Sequence, residues 1–203
     1  MAILRRNVMS NDINAINRLF KLQAKINMMV VDGTRDAESV ADALQRILEE
    51  RQSYLRHLET INLIPTKGEA TLAKAKQSLT GWIDGDFKNL GTDVGGEDTT
   101  ETKVDVHEMT RNGNFQTLFC SLGDPRKLCL TQGQIEEFCH SHRDSLRQEG
   151  YGTFFLFEVK GELFVAYVFV DVGKLRARVH RFGNGYVLDA DFCHRLVVRQ
   201  RTV

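Results

Sequence analysis

The apolar residues of this chain change period twice, and each change predicts a different architecture. From Asn11 to Val31, Ile13, Ile16, Phe20 and Ala24 recur three or four apart, as do Leu19, Leu22, Ile26 and Met29. That spacing predicts a helix with a broad apolar face. Asp32–Gly33 is a turn signal. A second helix is expected from about Arg35, with Val40, Leu44, Ile47, Leu48, Leu55 and Leu58 as its stripe and Pro65 ending the region. Thr66 to Glu69 has the form of a capping box, so a third helix is expected from there to Leu79, closed by Gly81.

Between Gly81 and Thr102 the periodicity lapses. Gly81, Gly85, Gly91, Gly95 and Gly96 sit among acids and threonines. From Ile83 to Glu108, eight Asp or Glu face only Lys88 and Lys103, a local charge of minus six. This reads as an acidic connection, with Trp82, Ile83, Phe87 and Leu90 available to pin its front end. Beyond it, "NFQTLFCSLG" places Phe115, Leu118, Phe119 and Leu122 on one helical face. A second capping box, Thr131 to Gln134, opens a helix expected to close near Gly150 or Gly152.

The last fifty residues switch to strand chemistry. "YGTFFLFEV", "ELFVAYVFV", "KLRARVHRF" and "CHRLVVRQ" are aromatic and β-branched runs. Short turns at Lys160–Gly161, Asp171–Gly173 and Gly183–Gly185 imply antiparallel neighbours. "ELFVAYVFV" is apolar on both faces and should be a covered strand, the helix after Thr131 being its natural cover. The expected fold class is therefore α+β. It comprises a helical region over 1–80, an acidic glycine-rich connection over 81–103, and a domain over 104–203 with an antiparallel sheet of about four strands under one or two helices.

Composition narrows the function classes. Hydrophobic residues make up 42% and charged residues 27%, with a formal net charge of zero, so no global field draws the protein to nucleic acid or an anionic membrane. No stretch approaches the roughly 20 apolar residues of a membrane span, and no signal-peptide core is evident. Cys120, Cys129, Cys139 and Cys193 read as reduced thiols, and the expected location is the cytoplasm.

The densest cluster of reactive side chains is "EEFCHSHRDSL", Glu136 to Leu146. On a helix, Ile135, Phe138, Cys139, His142 and Leu146 share roughly a 100° arc, while His140 points away. Cys139 and His142 could share one metal ion only with two further ligands, for which the candidates are the Cys193–His194 pair and Cys120 or Cys129. No C-x-x-C or H-E-x-x-H is present. Cys139, His142, Cys193 and His194 therefore define an alternative, metal- or thiol-dependent enzyme, while the leading expectation has neither metal nor cofactor. Asp84 and Asp86 do not complete a calcium loop, because Lys88 stands where an oxygen ligand is needed. Asp105, His107 and Glu108 are an acid/base trio on paper, but neighbours along a strand point apart.

One polar pattern remains. In "KLRARVHRF", Leu175, Ala177 and Val179 alternate with Lys174, Arg176, Arg178 and His180, and Arg195, Arg199 and Arg201 share a parity on the last strand. If their faces coincide, Lys174, Arg176, Arg178, Arg195, Arg199 and Arg201 form a basic face, whose other readings are a plainly solvated sheet face or a dock for an acidic segment, the chain's own 84–108 or a partner's. The expected function is non-enzymatic macromolecule binding, with a protein partner first and backbone-type nucleic-acid binding second.

Three passages together carry a resemblance: "VDGTRDAESVADALQRILEE", "GWIDGDFKN", and "CLTQGQIEEF…GYGTFFLFEV…HRLVV". Over most of its length the chain resembles a loose set of hypothetical proteins from genomes of small uncultured bacteria. The resemblance implies a bacterial, cytoplasmic, intact polypeptide and carries over no catalytic or binding residue.

Overall fold

A computed structural model describes residues 2–200, with residues 2–15 and 46–52 described by their backbone alone; Arg201 of the expected basic face lies outside the described residues. One compact unit ends at Gln52 and a second begins at Ser53, so the division falls earlier than the composition change at Gly81.

The first unit is a pair of helices, α1 (Ala2–Val31) and α2 (Ala37–Gln52). The turn between them follows the Asp32–Gly33 signal. Gly33 takes a left-handed φ of 76°, and the Asp32 carboxylate accepts the Thr34 amide at 3.0 Å. A hydrogen bond from the Thr34 side chain, and after it that amide bond, hold the Asp32 carboxyl below its ordinary range. Ile16, Leu19, Phe20, Leu22 and Met28 of α1 and Leu44 of α2 are exposed.

The second unit is α+β. Its strands are β1 (Leu55–Leu63), β2 (Thr102–Met109), β3 (Gly152–Val159), β4 (Glu162–Asp171), β5 (Lys174–Arg181) and β6 (Arg195–Arg199). They form one mixed sheet in the order β1-β2-β6-β3-β4-β5, so six strands replace the expected four. Only β3 and β6 run parallel. The β3–β4–β5 meander follows the two short turns. Lys160–Gly161 and Val172–Gly173 all have positive φ, the geometry whose twist matches paired antiparallel strands. Residues 81–84 lie along the outer side of β5, where Ala177 and Ile83 bridge in parallel, and so close that edge.

Both faces of the sheet are covered. On one, Phe155, Phe157, Ala166, Val168, Ala177 and Val197 pack with Ile135, Phe138 and Cys139 of α6 (Gln132–Ser141). Leu72, Leu79 and Phe87 complete that core. On the other, Phe154, Leu156, Val165, Leu196 and Val198 meet Phe115, Leu118 and Phe119 of α4 (Phe115–Cys120) and Leu128 of α5 (Pro125–Leu128). The expected caps are present. Asn114 accepts the Thr117 amide, and Thr131 with Gln134 forms the full capping box.

Three expectations are corrected. The second helix stops at Gln52, and Leu55 and Leu58 belong to β1, whose amides and carbonyls pair with β2 from Leu55↔Met109 to Leu63↔Thr102. The third helix does not form. Thr66 instead bonds Thr99, hydroxyl to hydroxyl at 2.8 Å, Asp98 accepts the Gly68 amide at 2.9 Å, and only a 3-10 turn, Leu72–Lys74, remains. The acidic connection is folded structure. Phe87 of the short helix α3 (Asp86–Asn89) is fully buried, and the Thr92 hydroxyl donates to its carbonyl at 2.8 Å. Gln132 explains the last two corrections together. Its carbonyl accepts the Leu72 amide at 3.0 Å, and its amide donates to Thr92 and Val94 carbonyls at 2.8 and 2.9 Å. A buried side chain thus satisfies backbone groups that a helix would have paired.

Candidate binding cleft

The hairpin register decides what stands beside the basic residues of β5. Tyr167 pairs with Arg178 and Phe169 with Arg176, so the cations share a face with aromatic rings. Phe154 pairs with Tyr167 on the other side, their ring centroids 5.1 Å apart. His180 stacks against Phe115 at 5.9 Å. Phe115, Phe154, Tyr167 and His180 floor a cleft of about 520 Å³. Gly152 is required here, because a Cβ would stand 2.2 Å from Tyr167 Cε2.

The facing wall is the segment between β5 and β6, which carries Tyr186, Leu188, Asp189, Phe192 and His194 into the lining. It is held at several points. Gly113 and Leu188 exchange backbone hydrogen bonds, the Ala190 amide donates to Asn112 Oδ1 at 2.8 Å, and Asp189 caps a 3-10 turn. Tyr151 stacks on Phe192 at 5.0 Å, and the Arg147 guanidinium lies 5.1 Å over the Tyr151 ring.

The cleft is aromatic with a few polar groups, the make-up of binding sites. His194 Nδ1 accepts the Gly152 amide at 3.0 Å, so the neutral ring carries its proton on Nε2. Burial lowers the pKa of His194 and of His180, where Arg178 adds to the effect. Both rings are therefore neutral at neutral pH. Arg178 lies 5.7 Å from the centroids of Trp82 and Phe169 and has no carboxylate within ion-pair distance among the described residues.

The structure divides the expected basic face between the two sides of the sheet. Lys174 and Arg178 are exposed on the cleft side, and Arg176 there pairs with Asp171 at 2.8 Å. Arg195 and Arg199 share the side of Val197, under α6. Arg195 donates to the Ser145 and Leu146 carbonyls at 2.8 and 3.3 Å, and Arg199 reaches Gln134 Oε1 at 3.4 Å. The five described cations therefore do not make one patch; parity within β6 could not reveal which side of β5 its arginines would join.

The residues of the alternative enzyme also separate. Cys139 is buried in the α6 core, its thiol pushed up by burial. His142 is the C-terminal cap of α6, half-buried against Phe138 at 5.7 Å, and not on a helix running to Gly150. Cys193 and His194 lie on the opposite side of the sheet. Among the described residues no group of three His, Cys, Asp or Glu is placed to hold a metal ion, and no helix is long and apolar enough to cross a membrane. His140 is exposed, as the helix phase requires.

Tyr167, Phe169, Tyr186, Phe192 and Trp82 were not singled out as site residues by pattern. A signal did exist for two of them: a two-residue turn at Val172–Gly173 makes Tyr167 the cross-strand partner of Arg178, and Phe169 that of Arg176, by counting alone. No family model, curated protein or solved structure matches this chain.

Proposed function

We propose that the protein is a non-enzymatic binding protein that holds a segment of a macromolecule against the aromatic, basic side of β4 and β5. The supporting observation is the set of large rings left at the surface near a guanidinium that has no carboxylate at ion-pair distance among the described residues. Tyr186 is 68% exposed, Trp82 46% and Phe192 42%, with Arg178 between strand and Trp82. Exposed rings grouped with a cation are costly to solvate and suit a partner that covers them. Affinity capture from the native cell tests this. The wild-type chain is expected to retain a partner that the double variant Tyr186→Ala, Arg178→Ala loses. Equal capture by both chains would overturn it.

A second reading concerns the helical unit. The exposed apolar side chains of α1, Leu19, Phe20 and Met28 among them, favour a protein partner at a helix face. Leu19→Glu with Phe20→Glu is expected to abolish capture of that partner while leaving the cleft partner bound.

A further inference from the structure

We infer that the cleft takes single-stranded nucleic acid, with a base stacked among the rings and phosphates of the same strand on Arg178 and Lys174. This rests on the reading of the cleft as a binding site. Three observations select that ligand. The lining is rich in rings, those of Phe154, Tyr167, His180, Tyr186 and Phe192 among them, and every base has a π-face with which to stack on such rings. An aliphatic helix would find only Leu188 there as an aliphatic partner. The charges are also sorted. Asp189 lies in the lining, where it repels a bare phosphate but accepts from the amino or imino groups of a base. Lys174 and Arg178 are exposed on β5; four residues apart on a strand, they stand roughly 13 Å apart, so they would meet phosphates that are not immediate neighbours. Arg176 lies between them with its charge already met by Asp171. Finally, about 520 Å³ suits a unit of nucleotide size, and a base can enter only when it is unpaired. The structure thus turns the expected backbone contact into base stacking, with fewer cations than the alternation of β5 and β6 implied.

Trp82 is the only tryptophan and lies against Arg178, so its fluorescence reports on this site. The experiment titrates the full chain at low salt with labelled oligothymidylate, following anisotropy and Trp82 emission. Parallel arms use an abasic strand of equal length, duplex DNA and a thymidine mononucleotide. The expected result is tight binding of the base-bearing strand alone, with quenching of Trp82. Tyr186→Ala should weaken it about tenfold, within the range for one stacked base. Arg178→Ala should lower the log–log salt slope by about one. Lys67→Ala, an exposed cation near α6, should change neither. Equal binding of the abasic strand would overturn the stacking assignment, and equal binding of the mononucleotide would overturn the strand. If no nucleic acid binds while Tyr186→Ala, Arg178→Ala still loses a captured partner, the nucleic-acid inference falls and the binding cleft stands. If neither responds, both fall.

Discussion

His57 and His107 face each other across the β1–β2 ladder, ring centroids 5.4 Å apart. Asp105, two residues along β2, accepts the Thr60 hydroxyl at 2.6 Å and stands 3.5 Å from His57 Nε2. Burial first, and then the neighbouring His57, lowers the His107 pKa from 6.5 to about 4. The unfolded chain therefore takes up a proton between those two values that the folded chain refuses. Stability is fully present above pH 6.5 and declines as pH falls toward 4, by up to about 3 kcal/mol before solvent screening. Denaturant melts at stepped pH should show His107→Gln, which cannot titrate, losing less stability over that window than wild type. Parallel curves would contradict the assignment.

Gln132→Ala leaves the Leu72 amide and the Thr92 and Val94 carbonyls without their partner. Each orphaned buried group costs about 1–3 kcal/mol unless water reaches it. The expected outcome is a destabilisation of about 2–4 kcal/mol, with faster proteolysis within residues 70–96. Unchanged cleavage there would show that the segment holds itself.

Arg195→Ala should lower stability by about 1–3 kcal/mol, because the guanidinium serves the carbonyls of Ser145 and Leu146. It should leave ligand binding at the cleft unaltered, since Arg195 lies under the other layer. A loss of binding at full stability would place it in the site after all.

The four thiols should react unequally in the folded protein. Cys120 is exposed. Burial, with Glu158 adding to it, raises the Cys129 pKa to about 12, and Cys139 is buried outright, so both lack thiolate to attack a disulfide reagent. Cys120→Ser should remove the fastest phase of thiol labelling. Early labelling at Cys139, located by peptide mass mapping, would contradict the buried placement of α6.

Phe138→Ala should cost about 3–5 kcal/mol, since Phe138 is fully buried and packs edge to face on Phe155 at 5.4 Å. A loss under about 1 kcal/mol would mean that α6 is not packed on the sheet.

What the sequence by itself determined is what neighbours along the chain decide. Thr131 and Gln134 are three residues apart and cap α6 by their own bonds. Lys160–Gly161 and Val172–Gly173 are turns too short for anything but antiparallel pairing, so the β3–β4–β5 register follows from counting. The alternation of Leu175, Ala177 and Val179 with Arg176, Arg178 and His180 needed only the pleat. The tertiary structure decided everything that depended on a distant partner. Leu55, Leu58 and Ile61 are spaced as a helix would space them, yet β2, over forty residues on, takes their backbone into a sheet. Leu72, Ala75 and Leu79 are spaced likewise, but Gln132, 60 residues from Leu72, binds that amide instead. The parallel seat of β6 beside β3 has no local signature, and it alone sends Arg195 and Arg199 to the side away from Arg178. The physical reason is the same throughout. Caps and tight turns satisfy backbone groups within a few residues, whereas a strand edge or an unpaired amide is satisfied by whichever distant group the packed core brings to it.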